Sequence, residues 1–400
     1  MKNLIKSLNA TLLVAGTCIG GGMLALPVMA GKVGLFPASV MMFLAWIFMT
    51  ITGLFYLEAT LWMNQEDAHL ISISSRLLGR YAPTICWVIY LFIAYASLVA
   101  YLSGSGALLR SFTLLFFPHL SVFSLNLIYS SVFFVIIWLG KPLTENLNAI
   151  MTFLMFTFFF ILAGYGASEE GSEPIMRSLW DGKSMFLLLP LLLTTFSYPG
   201  IVPVLVNYLD RDAKKVRISV IAGTSLTFLA YFIWMLVILR QVPYEGDHGL
   251  KIARELDFPA TETLRYFFHS PMVVHCGQAF AFLAMATSFL GVSLGLYHFL
   301  SDGLKTAKVP AGKFFICLLI SVPTLMITSC FDKIFFHALN LSGGLGDSLL
   351  SGLIPSLMVW SGRYRMNLKS EFQMEGGKVT LYLSVLFFGC IFLYEIIKWF

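Results

Sequence analysis

An apolar segment near the start of the chain is interrupted by three consecutive glycines. It occupies residues 14–27 and reads VAGTCIGGGMLALP. A second interrupted segment, TTFSYPGIVP, occupies residues 194–203 and carries Pro199 and Gly200 at its centre. Each glycine costs about 1 kcal/mol relative to alanine in a helix interior, and a proline removes a hydrogen bond and clashes with the preceding turn. Both segments are therefore predicted to be helices that break in the middle.

The sequence around these segments is that of a polytopic all-α membrane protein. Of its 400 residues, 58% are hydrophobic and 12% are charged, against about 45–50% and about 25% in soluble domains. A helix crosses the hydrocarbon layer with about 20 apolar residues. That length predicts eleven spans, numbered in chain order: 7–29, 35–57, 84–109, 122–139, 148–164, 184–208, 217–239, 272–300, 313–329, 334–360 and 379–397.

The basic residues indicate how the spans are oriented. The net charge is +5, but the lysines and arginines lie in short runs between apolar stretches. The larger share falls on the side of the N-terminus, so we expect a multi-pass protein with a cytoplasmic N-terminus and an outside C-terminus. This pattern does not predict a nucleic-acid partner. The six cysteines are scattered, which favours neither a disulfide framework nor a zinc site.

The two predicted breaks fall in spans 1 and 6, the first spans of two possible five-span halves. Paired interrupted spans in corresponding positions are typical of inverted-repeat transporters. We therefore expect one transport domain, 1–400, with a first repeat at about 7–164, a second at about 184–360 and an extra helix at 379–397. The second halves of spans 1 and 6, from about Gly22 and Gly200, present N–H groups suited to a carboxylate. The first halves end in carbonyls suited to an ammonium group.

Several motifs resemble one known family. The segment Val14 to Pro27 is similar to the opening helix of bacterial tyrosine- and tryptophan-specific permeases, the hydroxy/aromatic amino acid permease family. The segment Ala286 to Leu296 (ATSFLGVSLGL) is a second match, and shorter ones follow in order along nearly all of the chain. The resemblance implies eleven spans on a leucine-transporter-like five-plus-five fold, and import of aromatic amino acids with protons. It also implies a location in the bacterial inner membrane.

The candidate substrate residues lie at the breaks and on spans 3 and 8. We expect N–H groups of Gly20, Gly21 and Gly22 to bind a substrate carboxylate, with the Thr17 hydroxyl beside them. On span 6, the expected polar contacts are Thr195, Ser197 and Gly200, and the expected flanks of an aromatic ring are Phe196 and Tyr198. Tyr101 and Ser288 complete the set. The structural alternative is close helix packing for the glycines, core packing for the aromatics and bonds to their own helix for the hydroxyls.

Three ionisable residues are candidates for proton coupling. Asp347 lies about twelve residues into span 10, roughly 18 Å deep at about 1.5 Å per residue, and burial there would favour its protonated form. Glu58 falls at the inner end of span 2, and His298 near the inner end of span 8, where relatives often carry an acidic residue. Residues 148–163 of span 5 contain no ionisable residue, whereas some relatives carry a lysine there. The carrier therefore cannot be transferred from those relatives.

The sequence as a whole predicts a secondary transporter that imports tyrosine or tryptophan by proton symport, working by alternating access around broken spans 1 and 6. It lacks the motifs of catalysis and ATP binding, so neither an enzyme nor a cofactor is expected. The expected partners are the amino acid, the proton and the lipid bilayer. Two alternatives remain open: a permease for another neutral amino acid, because the breaks recognise the zwitterion alone, and a membrane channel or sensor.

Overall fold

The computed structural model describes residues 2–63, 69–113, 117–168, 178–268, 270–304, 310–331 and 333–398. Its helices follow the predicted spans closely. Span by span they are Lys2–Cys18 with Gly21–Ala30, Leu35–Leu61, Ala82–Thr113, Val122–Leu139, Lys141–Ser168, Gly182–Phe186 with Leu189–Thr195 and Val202–Tyr208, Ala213–Gln241, Pro271–Leu304, Pro310–Cys330, Phe335–Leu341 with Ile354–Trp360, and Gly377–Ile397. Asp332, in the predicted boundary between spans 9 and 10, lies outside the described residues.

Span 1 breaks where the glycines begin. Its first half ends at Cys18, its second half starts at Gly21, and the two helical axes meet at 55°. Gly20 adopts an extended backbone conformation there and receives no side-chain cap. The second half has the composition of a fully buried helix, and every residue from Gly21 to Ala30 is buried. The predicted break in span 1 is confirmed.

Span 6 breaks next to Pro199, as its sequence predicts. The helix Leu189–Thr195 is followed by residues 196–198 without helical conformation, by a short 3₁₀ turn at Pro199–Ile201, and by the helix Val202–Tyr208. Proline is favoured at the first position of a helical turn, because that position has no N–H bond to lose. Pro199 therefore starts the second half of the span, and residues 196–198 separate it from the end of the first half at Thr195.

Span 10 is helical from Phe335 to Arg365 but is not a regular α-helix. Its middle, Ser342–Leu353, is a π-helix. This conformation is rare in proteins, and where it occurs it is often part of a functional site. Three of its residues, Gly343, Gly344 and Gly346, let neighbouring spans approach closely. Among the described residues, nine helices are long and apolar enough to cross a membrane, or ten with the bent pair of span 1. The irregular span 10 is outside that count, so eleven crossings stay a prediction.

The breaks lie at the centre of the helix bundle. The second half of span 1 packs against the first half of span 6 and against spans 3, 7 and 8, while the π-helix of span 10 packs against spans 3, 6 and 11. Two connections form helices that the sequence analysis did not identify, Leu70–Leu78 between spans 2 and 3 and Leu250–Glu255 between spans 7 and 8. We call the side of the bundle where span 1 begins the N-terminal face, and the other side the opposite face.

Candidate binding site at the two helix breaks

The glycines of span 1 bring three other spans to the break. A Cβ atom on Gly20 would overlap the Ser288 hydroxyl of span 8. On Gly21 it would lie 2.6 Å from the Tyr101 ring of span 3. On Gly22 it would lie 2.8 Å from the Thr195 side chain of span 6. The predicted residues of spans 1, 3, 6 and 8 are therefore neighbours, and no larger residue than glycine fits between them without a shift.

The backbone at the breaks carries polar groups that the helices do not pair. The first N–H groups of a helix have no partner inside it, and Gly20 supplies no side-chain cap to the second half of span 1. The first half of span 1 and the first half of span 6 end in carbonyls at Cys18 and Thr195. A single hydroxyl, that of Tyr231 on span 7, donates to both carbonyls at 2.7 and 3.1 Å. Tyr231 therefore ties the two breaks together.

Two predicted aromatic flanks pack against neighbouring spans. Phe196 is fully buried and lies edge-on to Tyr231, with 5.6 Å between ring centroids. Tyr198 packs against Gly53 of span 2, and its hydroxyl donates to the Met49 carbonyl at 3.0 Å. Their role beside a substrate ring stays a prediction, and the contacts observed are those of Phe196 with span 7 and of Tyr198 with span 2. The sequence could not reveal this, because residues in an unwound segment follow no helical periodicity.

The predicted hydroxyls differ in what they bind. Thr17 donates to Leu13 in its own helix at 2.7 Å, and Thr195 donates to Leu192 at 2.8 Å. The Tyr101 hydroxyl lies near Ser288, next to the break. Ser197 donates to a carboxylate oxygen of Asp347 on span 10 at 2.5 Å. Thr17 and Thr195 thus match the structural alternative, whereas Tyr101 and Ser288 line the site.

Residues on the two sides of the breaks differ in exposure. Gly16, Thr17, Gly200 and Gly291, which lie on that side of the breaks, are exposed. A Cβ atom on Gly16, Gly200 or Gly291 would meet nothing within 4 Å. On the opposite side, the whole second half of span 1 is buried. Exposed positions therefore lie on the N-terminal side of the breaks and buried ones on the opposite side.

Asp347 is buried in the π-helix of span 10, with 1% of its surface exposed. One of its carboxylate oxygens accepts hydrogen bonds from Ser197 at 2.5 Å and from Ser351 at 2.9 Å. The other oxygen is buried without a hydrogen-bond partner in the described part of the chain. Burial of a carboxylate with half of its acceptors unpaired favours a group that takes up a proton.

The other two coupling candidates lie away from the breaks. Glu58 forms a buried two-point ion pair with Arg363, at 2.6 and 2.5 Å, and also accepts the Met374 N–H at 2.9 Å. Such a two-point pair is a strong and directional contact, which suits a structural joint between spans 2 and 10. His298 is exposed near the end of span 8. The geometry therefore favours Asp347 over Glu58 and His298.

The connection between spans 7 and 8 covers the breaks at the opposite face. Its helix Leu250–Glu255 packs against the second half of span 1, with Leu250 against Gly31. Asp257 accepts the N–H groups of Phe335 and Phe336, at 2.6 and 3.0 Å, and thereby caps the first turn of span 10. Burial raises the pKa of Asp257, and this effect outweighs the two hydrogen bonds, which favour the charged form.

The residues predicted from the sequence do not include Tyr231, Arg363, Asp257 or Ser351. Arg363 and Asp257 lie among other charged residues at the ends of spans, and Tyr231 and Ser351 lie in spans with no predicted break. Only the spacing of Ser351 from Asp347, four residues in a helix, could have been recognised. Across the described ranges, no group of three or more His, Cys, Asp and Glu side chains could hold a metal ion.

Comparisons with known proteins agree in family and in fold. The family model described as tryptophan/tyrosine permease family matches residues 4–395. The chain is 29% identical to the tyrosine-specific transport system 1 of Haemophilus influenzae, over 96% of this chain and 95% of that protein. It is 26% identical to a tryptophan-specific transport protein of the same organism, over 95% and 93%. The crystal structure of MhsT in complex with L-phenylalanine superposes with a TM-score of 0.67 at 14% identity, covering 98% of each chain. This similarity establishes a leucine-transporter-like fold.

Proposed function

Because the chain belongs to the tryptophan/tyrosine permease family, a family of bacterial membrane transporters and not of enzymes, we propose that it imports tyrosine or tryptophan by proton symport. The curated relatives transport tyrosine or tryptophan according to their names. The amino acid and the proton are thus its proposed partners, with the lipid bilayer around it. The proposed location is the inner membrane, with a cytoplasmic N-terminus and an outside C-terminus.

The observation that carries this proposal is the contact of Gly20, Gly21 and Gly22 with Ser288, Tyr101 and Thr195. These glycines leave N–H groups free at the start of a helix, where the helix dipole also attracts negative charge. A substrate carboxylate would bind there. The carbonyls at the ends of the first halves of spans 1 and 6 would accept its ammonium group.

We further propose alternating access by two repeats, about 7–164 and 184–360, followed by the extra helix 379–397. The open side at Gly16, Thr17 and Gly200 and the buried second half of span 1 support a conformation that faces the N-terminal side. Movement of spans 1 and 6, the first span of each repeat, relative to the other spans would open the opposite face. With a cytoplasmic N-terminus, this conformation is the one that releases substrate into the cell.

For the coupling ion, we propose that Asp347 carries the proton. It is buried beside the break of span 6, and one of its oxygens has no partner in the described residues. A protonated carboxyl removes the cost of burying a charge, so the loaded carrier can change conformation. Glu58 and His298 remain candidates of lower rank, because Glu58 is already paired with Arg363 and His298 is exposed.

Counterflow in proteoliposomes tests the transport proposal. Purified protein would be loaded with unlabelled tyrosine and exposed to radiolabelled tyrosine, in competition with tryptophan, phenylalanine, leucine and serine, with and without an imposed proton gradient. We expect saturable uptake that aromatic amino acids inhibit and an inward proton gradient accelerates. Equal inhibition by leucine and serine would favour a permease for neutral amino acids in general. Absence of counterflow of any of these amino acids by folded protein would reject the proposal.

The proton carrier is tested by Asp347→Asn in the same assay. The amide cannot take up a proton, so net uptake should no longer respond to the proton gradient, while exchange of tyrosine across the membrane persists. His298→Gln, at an exposed residue, is the matched variant. Uptake by Asp347→Asn that still follows the proton gradient would exclude Asp347 as the carrier.

A further inference from the structure

Ser197 lies in the three-residue gap between the halves of span 6. The first half of that span is clamped to span 10: the Thr194 hydroxyl donates to the Leu339 carbonyl at 2.7 Å, and Gly343 lies directly against the Pro190 carbonyl. Residues 196–198 lie outside regular helix, and within them Ser197 bonds to span 10 whereas Tyr198 bonds to the Met49 carbonyl of span 2. Because the preceding helix is bonded to span 10, a displacement of Ser197 would move the unwound segment and leave that helix in place.

The Ser197 hydroxyl contacts Asp347 and not the glycines of span 1. It donates to the same carboxylate oxygen as Ser351, which belongs to span 10 itself. Of the two donors to Asp347, only Ser197 thus connects the carboxylate to another span. A charged carboxylate accepts this hydrogen bond strongly, whereas a protonated carboxyl accepts it weakly and can donate instead.

Five other titratable groups lie around Asp347. Cys18, Tyr56 and Tyr101 face it from spans 1, 2 and 3. On span 11, Glu395 packs against Gly344 and pairs with Lys398 at 3.7 Å. Of these five groups, Glu395 and Lys398 are directed to each other as an ion pair.

We propose that Ser197 is a positioning residue that links protonation of Asp347 to the conformation of the unwound segment of span 6, and through it to substrate affinity. This inference rests on the proposed proton symport. It replaces the expected role of Ser197 as a substrate contact. The same carboxylate has an internal control, because Ser351 donates an equivalent hydrogen bond without leaving span 10.

The test is the pH dependence of substrate binding, measured on purified full-length protein with radiolabelled tyrosine or tryptophan, whichever the wild type transports. In the wild type we expect Kd to fall about tenfold from about pH 8 to about pH 5, within the range typical of coupled sites. Ser351→Ala should keep this change and move its midpoint up by about 1 pH unit, because loss of a donor favours the protonated carboxyl. Ser197→Ala should make Kd nearly independent of pH, and Ser197→Thr should restore the dependence.

The outcomes separate this inference from the function on which it rests. If Ser197→Ala behaves like Ser351→Ala while Asp347→Asn is independent of pH, the inference fails and the symport proposal stands. A wild-type Kd that does not change with pH rejects proton coupling and this inference together. If Ser197→Ala and Ser197→Thr both lose binding at every pH, Ser197 contacts the substrate and its positioning role is refuted.

Discussion

At the scale of single residues, the glycines of span 1 determine what the site can hold. A Cβ atom on Gly21 would lie 2.6 Å from two ring atoms of Tyr101, and a valine would extend further. We expect Gly21→Val to abolish counterflow of tyrosine, because the side chain fills the space beside the free N–H groups. Gly389→Val on span 11, where nothing lies within 4 Å, is the matched control. Counterflow by Gly21→Val at the wild-type rate would rule out carboxylate binding at these N–H groups.

The Tyr231 hydroxyl connects the ends of two broken helices in an apolar interior. Its single proton is shared between the Cys18 and Thr195 carbonyls, each of which keeps a lone pair for another donor. Tyr231→Phe keeps the ring and removes the donor, which should cost about 1–3 kcal/mol of stability and loosen the two breaks relative to each other. Thermal unfolding of the purified variant would measure the loss, and the rate of counterflow would measure the effect on transport.

The control for Tyr231→Phe is Tyr129→Phe. Tyr129 is also a buried tyrosine, but its hydroxyl lies near Ser105 and bonds to no helix-end carbonyl in the described part of the structure. Its removal should leave the melting temperature nearly unchanged. Equal melting temperatures of Tyr231→Phe and the wild type would show that the bridge between the breaks contributes nothing to stability.

At the scale of elements, spans 2 and 10 are joined by the Glu58–Arg363 pair. Both side chains are buried, with 1% and 4% exposed. Glu58→Gln would leave Arg363 charged and unpaired by a carboxylate, and breaking a buried pair in this way costs about 3–5 kcal/mol. We expect a clear drop in the melting temperature. Lys215→Ala, which breaks the largely exposed pair with Asp212, should change stability by about 0–1 kcal/mol.

Hydrogen bonds at two positions join the connection between spans 7 and 8 to the start of span 10. Asp257 caps the first turn of span 10, and Lys333 donates to the Glu255 carbonyl at 2.6 Å. We expect Asp257→Ala to lose about 1–2 kcal/mol, as for other helix caps, and to expose residues 250–264 to hydrogen exchange. Asp247→Ala, at an exposed position of the same connection, should change neither. Unchanged exchange in Asp257→Ala would contradict a role of this cap in closing the opposite face.

At the scale of the whole molecule, the two sides of the breaks differ in access. Thr17 is exposed on the side of the N-terminal face, and Leu26 is buried on the opposite side. In a background with Cys330 and Cys390, the exposed cysteines, replaced by serine, we expect Thr17→Cys to react with an impermeant maleimide from the N-terminal face. Leu26→Cys should not react from either face. Labelling of Thr17→Cys from the opposite face alone would contradict the proposed conformation.

The spans and their two breaks could be read from the sequence, because both depend on local chemistry. Apolar length determines where a helix can cross the hydrocarbon layer, and three glycines or a Pro-Gly pair interrupt helical hydrogen bonds wherever the chain folds. The depth of Asp347 follows from the same count of residues. The family resemblance agreed with these local signals, and the fold that it implied is the one observed.

Contacts between distant residues were decided by the tertiary structure alone. Ser197 and Tyr198 are adjacent in the sequence, yet one binds Asp347 on span 10 and the other binds Met49 on span 2. Tyr231 reaches Cys18 across 213 positions, and Arg363 reaches Glu58 across 305. The direction of a side chain in an unwound segment depends on which helices pack around it. Packing of whole spans sets those directions, and no local pattern in the sequence records them.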